Sequence, residues 1–215
     1  MANEKYHPDK LLASKPFRGE GKKIIGIGAS TGGVDAIARI LQALPLNLPP
    51  IVITQHIPEG FSTSFAHRLD NISALSVVEV TERMTLKPSC AYLAPGGRHM
   101  LIENKTGEYI ATPLDGDRIT RHKPSVDIMF RSLNNAAGKN ALAIIMTGMG
   151  DDGSIGIHEL FLNGSYTIAQ DEDSCIVFGM PKQAISRGSI CDIVSLDNIP
   201  EKIVQFSHGN LKRKK

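Results

Sequence analysis

Three short runs of aliphatic residues punctuate this chain: Ile24-Ile25-Gly26-Ile27, Ile51-Val52-Ile53-Thr54 and Ala141 to Met146. Each stops at a polar or glycine-rich turn. A run with no polar alternation has no solvent face, so it suits a strand covered on both sides, as in parallel sheets. Between the runs the period changes. Val34, Ile37, Ala38 and Leu41 recur at i, i+3, i+4 and i+7, and Val126, Met129, Phe130 and Leu133 repeat that helical face. Strands alternating with helices imply a mostly parallel sheet with helices on both faces. Right-handed crossovers then leave a doubly wound, three-layer α/β/α architecture.

The remaining segments fit that plan. Phe61, Phe65 and Leu69 line one helical face, and Ser76 to Val80 reads as a third strand. Residues 90–94, 100–103 and 109–112 are short strand-like runs, and Asn104 to Gly107 is a hairpin turn. They predict a small antiparallel hairpin at one edge of the sheet. A helix ends at Asn163-Gly164, a strand covers Tyr166 to Ala169, and helical segments cover 181–187 and 199–207 with a short strand near Cys191 to Val194. Residues 23–207 therefore read as one domain, preceded by a polar, mobile arm (1–22) and followed by a basic tail (208–215).

Charge and cysteine content exclude several function classes. The net charge is +2, but residues 212–215 alone carry four positive charges and residues 1–23 a further net three, so the body between them is net negative. A nucleic-acid binder carries its basic footprint on the folded domain, so no nucleic-acid partner is expected. No run approaches 18 apolar residues, and the charged N-terminus has no apolar signal core, so neither membrane insertion nor export is expected. Cys90, Cys175 and Cys191 form no C-x-x-C pair and are odd in number, which fits a reducing cytoplasm and buried thiols rather than a disulfide framework or zinc site.

In an open α/β sheet, ligands bind beyond the carboxyl ends of the strands. Ser30 follows the first strand, His56 the second, and Asp151 and Asp152 the ALAIIM strand. A hydroxyl, an imidazole and a carboxylate thus share one edge, the inventory of a nucleophile, a general base and an orienting acid. Gly28-Ala29-Ser30-Thr31-Gly32 fits the G-x-S-x-G elbow, with a helix N-terminus behind it to stabilise an oxyanion. The plainer reading makes Ser30 a helix cap. The order Ser, His, Asp differs from that of the α/β-hydrolases. A rival dinucleotide site is disfavoured, because the glycine spacing is one residue off the fingerprint and Gln55-His56 stands where a ribose-binding acid belongs. His99 and His122 are candidate pocket residues, and no histidine pair has metal spacing.

Six longer motifs, GIGASTGG (26–33), ITQHIPEGF (53–61), YLAPGGRHM (92–100), RHKPSVD (121–127), MTGMGDDG (146–153) and VFGMPKQA (177–184), closely resemble the catalytic domain of chemotaxis receptor methylesterases of the CheB type. The similarity spans about residues 24–205. The resemblance implies a hydrolase that removes methyl esters from glutamate side chains of methylated chemoreceptor cytoplasmic helices, releasing methanol through an acyl-enzyme, with receptor glutamine deamidation as a companion activity. By motif it assigns the catalytic roles to Ser30, His56 and Asp152, with Asp151 at the variable position. It implies the Met149 backbone N–H as an oxyanion donor and Thr31 as an assisting neighbour, with no metal and no cofactor. Familiar members carry an N-terminal receiver domain. Only 23 residues precede the first strand here, so the expectation is either a stand-alone esterase without phosphorylation in cis, constitutive or controlled by a regulatory protein in trans, or a chain that is a fragment of a longer protein.

Overall fold

Strand β1 (Ile24–Ala29) is buried on both faces, and the two faces use different residues. Ile25, Ile27 and Ala29 join one apolar layer. Gly26 and Gly28 face the other layer, where Cβ atoms would come within 2.8 Å of Leu133 and 2.2 Å of Val126. The glycines of the first motif therefore admit a helix against the strand rather than a nucleotide.

The computed structural model describes residues 5–213. After β1 come α1 (Gly33–Ala43), β2 (Ile51–Gln55), α2 (Ser62–Ile72), β3 (Ser76–Glu79), β4 (Met84–Thr85) and β5 (Cys90–Leu93). Then follow β6 (His99–Lys105), β7 (Glu108–Leu114), α3 (Val126–Ala136), β8 (Ala141–Ile145) and α4 (Ser154–Leu162). The chain closes with β9 (Tyr166–Gln170), α5 (Met180–Ser186), β10 (Asp192–Val194) and α6 (Ile199–Ser207). Seven strands pair in parallel in the order β10-β9-β8-β1-β2-β5-β3. Helices α1, α2 and α6 supply one apolar layer, and α3, α4 and α5 the other.

The chain winds outward from β1 through β2, then returns to β8 on the other side of β1. The switch point of the sheet therefore lies between β1 and β8. Register aligns their ends, with Gly28 opposite both Thr54 and Ile145. The turns after β1, β2 and β8 consequently open on one crevice, where such sheets bind ligands.

Three segments differ from expectation. The run at 90–94 is an inner parallel strand, β5, between β2 and β3, and it does not belong with the hairpin. Its apolar residues Ala91 to Ala94 are buried, as in any two-sided strand. Strands β6 and β7 form the expected hairpin and, with β4, a separate three-stranded antiparallel sheet. Over residues 5–22 the arm is docked. Buried Arg131 bonds Asp9 and the Leu12 carbonyl, Asn135 exchanges bonds with Ala13 and Lys15, and the Phe17 N–H donates to Asn134. The Arg131 guanidinium, the Asn135 side-chain amide and the Asn134 backbone carbonyl on α3 supply these anchors, which hydropathy alone does not reveal. In the basic tail, Arg213 lies over the Phe161 ring, 4.1 Å from its centroid, and the last two lysines fall outside the described residues. The three cysteines are free and half-buried rather than fully buried.

Candidate active site

Ser30 occupies the turn between β1 and α1. Its N–H donates to the Thr147 carbonyl at 2.9 Å, and its own carbonyl accepts from Gly33 N–H and from the Gln55 amide, both at 2.8 Å. The helix cap is Gly32, at φ 82°, and no side chain caps it. Ser30 is therefore not a capping residue, and its hydroxyl is left for other work. Gly148 packs directly under it, since a Cβ there would lie 2.6 Å from the Ser30 Cβ.

His56 leaves the end of β2, its N–H donating to the Ala29 carbonyl. The Gln55 amide donates to the carbonyls of both Ser30 and His56, tying the two turns together from below. The His56 Nε2 lies 2.7 Å from Asp152 Oδ2, and the ring is only 9% exposed. Its Nδ1 is buried and has no hydrogen-bond partner. With an ionised carboxylate at Nε2, the ring proton sits there and the Nδ1 lone pair is free. The basic nitrogen of this dyad is therefore Nδ1.

Asp152 is fully buried, yet four donors converge on it. Oδ2 accepts from His56 and from Val126 N–H at 2.7 Å; Oδ1 accepts from Ser125 Oγ at 2.8 Å and Asp127 N–H at 3.0 Å. Val126 and Asp127 open α3, so the carboxylate sits on a helix N-terminus, where anions are favoured. Burial opposes its charge, but the His56 imidazole and the N–H bonds outweigh burial and hold the carboxyl below the usual range. Asp127 returns the arrangement, its Oδ1 accepting from Ile155 and Gly156 at the start of α4 and its Oδ2 from Thr120 Oγ1. Burial, with the Asp152 charge close by, pushes the Asp127 carboxyl well above the usual range. The two carboxylates thus cap each other's helices.

The remaining candidates separate cleanly. Asp151 faces outward and pairs with Arg121 and Lys5, leaving Asp152 as the acid that meets His56. Thr31 is exposed, and its carbonyl accepts from Thr147 Oγ1. Met149 is 68% exposed in the loop over Gly148, and among the described residues no acceptor takes its N–H. His99 is buried rather than lining a pocket: Nδ1 accepts from Ser125 N–H and Nε2 donates to the Asp117 carbonyl. His122 does reach the site, stacked on His56 with centroids 3.6 Å apart and planes within 6°. Phe61, expected on a core face, is instead exposed beside His56. It lines a cavity of about 530 Å³ with Val34, Ile57, Pro58 and Phe65. Burial pushes the Cys175 thiol up to about 11, so it is no thiolate nucleophile at neutral pH.

Sequence reasoning missed Gln55 and Thr147. Thr147 fixes the loop from inside, its hydroxyl accepting from Ile176 and Val177 N–H and its N–H donating to Gln170. Each stands next to a conspicuous motif residue and works through its backbone neighbours, so residue type alone carried no signal.

Comparison with known proteins decides the family. The CheB methylesterase family model matches residues 25–203. The chain belongs to the CheB methylesterase family. Relatives in that family include protein-glutamate methylesterase/protein-glutamine glutaminase 1 of Geobacter metallireducens, 48% identical over 88% of this chain and 53% of the relative. A protein-glutamate methylesterase/protein-glutamine glutaminase of Cereibacter sphaeroides is 44% identical over 95% of this chain and 56% of its own length. The chain thus spans about half the length of the curated relatives it matches. The crystal structure of the Thermotoga maritima CheB methylesterase catalytic domain superposes with a TM-score of 0.84 at 36% identity, covering 86% of this chain and 99% of that one. Among the described residues, no group of three or more His, Cys, Asp or Glu is placed to hold a metal ion, and no helix is long and apolar enough to cross a membrane.

Proposed function

We propose that this chain hydrolyses methyl esters on glutamate side chains of chemoreceptor signalling helices, releasing methanol, and also deamidates receptor glutamines. The observation that carries the reading is the 2.7 Å His56–Asp152 pair on the strand edge that also bears Ser30, with Nδ1 of His56 buried and unpaired. The names of the relatives supply the substrate class. Ser30 Oγ attacks the ester carbonyl while His56 Nδ1 takes its proton. Asp152 holds the imidazole in the Nε2–H tautomer and stabilises the cation that forms. The Met149 N–H, with Thr31 beside the nucleophile, receives the developing oxyanion. His56 then returns the proton to the departing methoxide. Water deprotonated by His56 cleaves the resulting ester to Ser30, leaving free glutamate.

An amide in place of the ester follows the same path with ammonia leaving, which accounts for the double name. The substrate helices set the compartment as the cytoplasm. The test is methanol release from membranes containing methylated receptors. Release by the wild type, abolished by Ser30→Ala, is the expected result. Equal release from both would overturn the reading.

A further inference from the structure

We propose that His122 is a positioning residue for the reaction, a flat wall that fixes the plane of the His56 ring and stabilises its cationic form. The proposal rests on the esterase reading above, because it needs His56 to become an imidazolium during turnover. The stacking is close and nearly coplanar, 3.6 Å between centroids and 6° between planes. With the rings almost directly face to face, two neutral imidazoles gain little from each other, so the arrangement favours a pair in which one ring becomes a cation over the face of the other.

The backbone that presents His122 is held under strain. Thr120 and Arg121 both lie in the left-handed region, at φ 48° and 71°, where a non-glycine residue is costly. Ile119 and His122 exchange N–H to carbonyl bonds across this turn, at 2.8 and 3.0 Å. Three further contacts pin it. Thr120 N–H donates to the Tyr6 carbonyl, its hydroxyl to buried Asp127, and Arg121 to Asp151 in the loop that carries Asp152. Strain so heavily over-determined is typical of a segment whose side chain must arrive in one place.

The chemistry of the ring fits the task. Burial, with His56 alongside, pushes His122 down to about 4, so it stays neutral while its neighbour gains a proton. A neutral aromatic face against a cation is attractive, whereas two imidazolium rings would repel. His56 has Asp152 on one edge, and its in-plane rotation is limited by that bond. The stack limits the remaining freedom, tilt out of plane, which would swing Nδ1 away from the serine.

The test is a set of substitutions at 122 read on two assays. One is methanol release from methylated receptor membranes, resolved into kcat and KM. The other is the rate at which phenylmethanesulfonyl fluoride labels Ser30, mapped by mass, which needs no receptor. His122→Ala and His122→Leu are expected to lower kcat about tenfold with KM within twofold, and to slow labelling equally. His122→Phe, which keeps a flat face without a titrating nitrogen, is expected to restore both to within about threefold of wild type. Unchanged rates in the alanine and leucine variants would overturn the proposal. So would a loss confined to KM, or a phenylalanine variant with wild-type melting temperature that is as slow as alanine. If the wild type releases no methanol but Ser30 labels, the substrate reading fails and the labelling series still decides the role of His122. Absence of labelling in the wild type overturns both.

Discussion

Replacing Asp152 by Asn keeps size and shape but changes what the buried group can accept. Four donors point at the carboxylate: His56 Nε2–H, Val126 N–H, Ser125 Oγ–H and Asp127 N–H. The amide nitrogen must replace one oxygen. On the His56 side it would abut Val126 N–H and force His56 into the opposite tautomer. On the Ser125 side the hydroxyl can turn to accept, and only Asp127 N–H loses its partner. The second orientation costs less, so the Nε2–H tautomer survives and one buried N–H is orphaned. That costs about 1–3 kcal/mol. Relief of the Asp127–Asp152 repulsion offsets part of it, for a net loss of about 1 kcal/mol, or about 0.5 M in the urea midpoint.

Activity falls further, because the charge opposite the imidazolium is gone. At a charge separation of about 4 Å and an effective dielectric of about 20 the lost attraction is about 4 kcal/mol, which is about a thousandfold in kcat. The assay is methanol release beside urea denaturation followed by circular dichroism. An Asn variant within tenfold of wild-type activity, or one that unfolds at the wild-type urea concentration, would refute the argument.

Three further outcomes follow from the same contacts. Asp127→Asn keeps Oδ1 accepting from Ile155 and Gly156 while its amide donates to Thr120. Because burial raises the Asp127 carboxyl, the wild type loses stability as pH rises through that group's folded value. The variant is therefore expected to gain melting temperature relative to wild type from pH 5 to pH 8; a gain that shrinks over that range contradicts this sign. Gly148→Ala puts a Cβ 2.4 Å from Met180 Sδ and 2.6 Å from Ser30 Cβ, so the serine must move, and kcat is expected to fall about a hundredfold. His122 titrates near 4 in the folded chain and near 6.5 unfolded, so the unfolded state binds more protons between those values. Stability should fall by about 1 kcal/mol, after allowance for solvent screening, between pH 7 and pH 4.5, and His122→Phe should flatten that slope in urea titrations.

Much of this molecule was legible from residue pattern, and the parts that were not share a cause. The runs at 24–27, 51–54 and 141–146 are strands because nothing in them tolerates water, and the edge they end on puts Ser30, His56 and Asp152 in one crevice. The run at 90–94 has the same texture but stood beside two hairpin strands, and local texture does not say which sheet a strand joins. Phe61 obeyed helical spacing yet lies just before α2 on the open side, because a cap residue is not bound to the buried face. The arm over 5–22 looked mobile because its partners, Arg131, Asn134 and Asn135, lie more than a hundred residues away. The choice of Asp152 over Asp151 came from family resemblance. The geometry separates them by burial and by the N-terminus of α3, neither of which is written in an Asp-Asp pair.

The most direct test is the protonation of the His56 ring, read by nitrogen NMR of the imidazole in the folded chain at neutral pH, with Asp152→Asn as reference. The account predicts that the proton bonded to Asp152 sits on Nε2 and that Nδ1 carries an unbonded lone pair. A ring carrying its proton on Nδ1 would contradict it, since no nitrogen would then be free to receive the proton of Ser30.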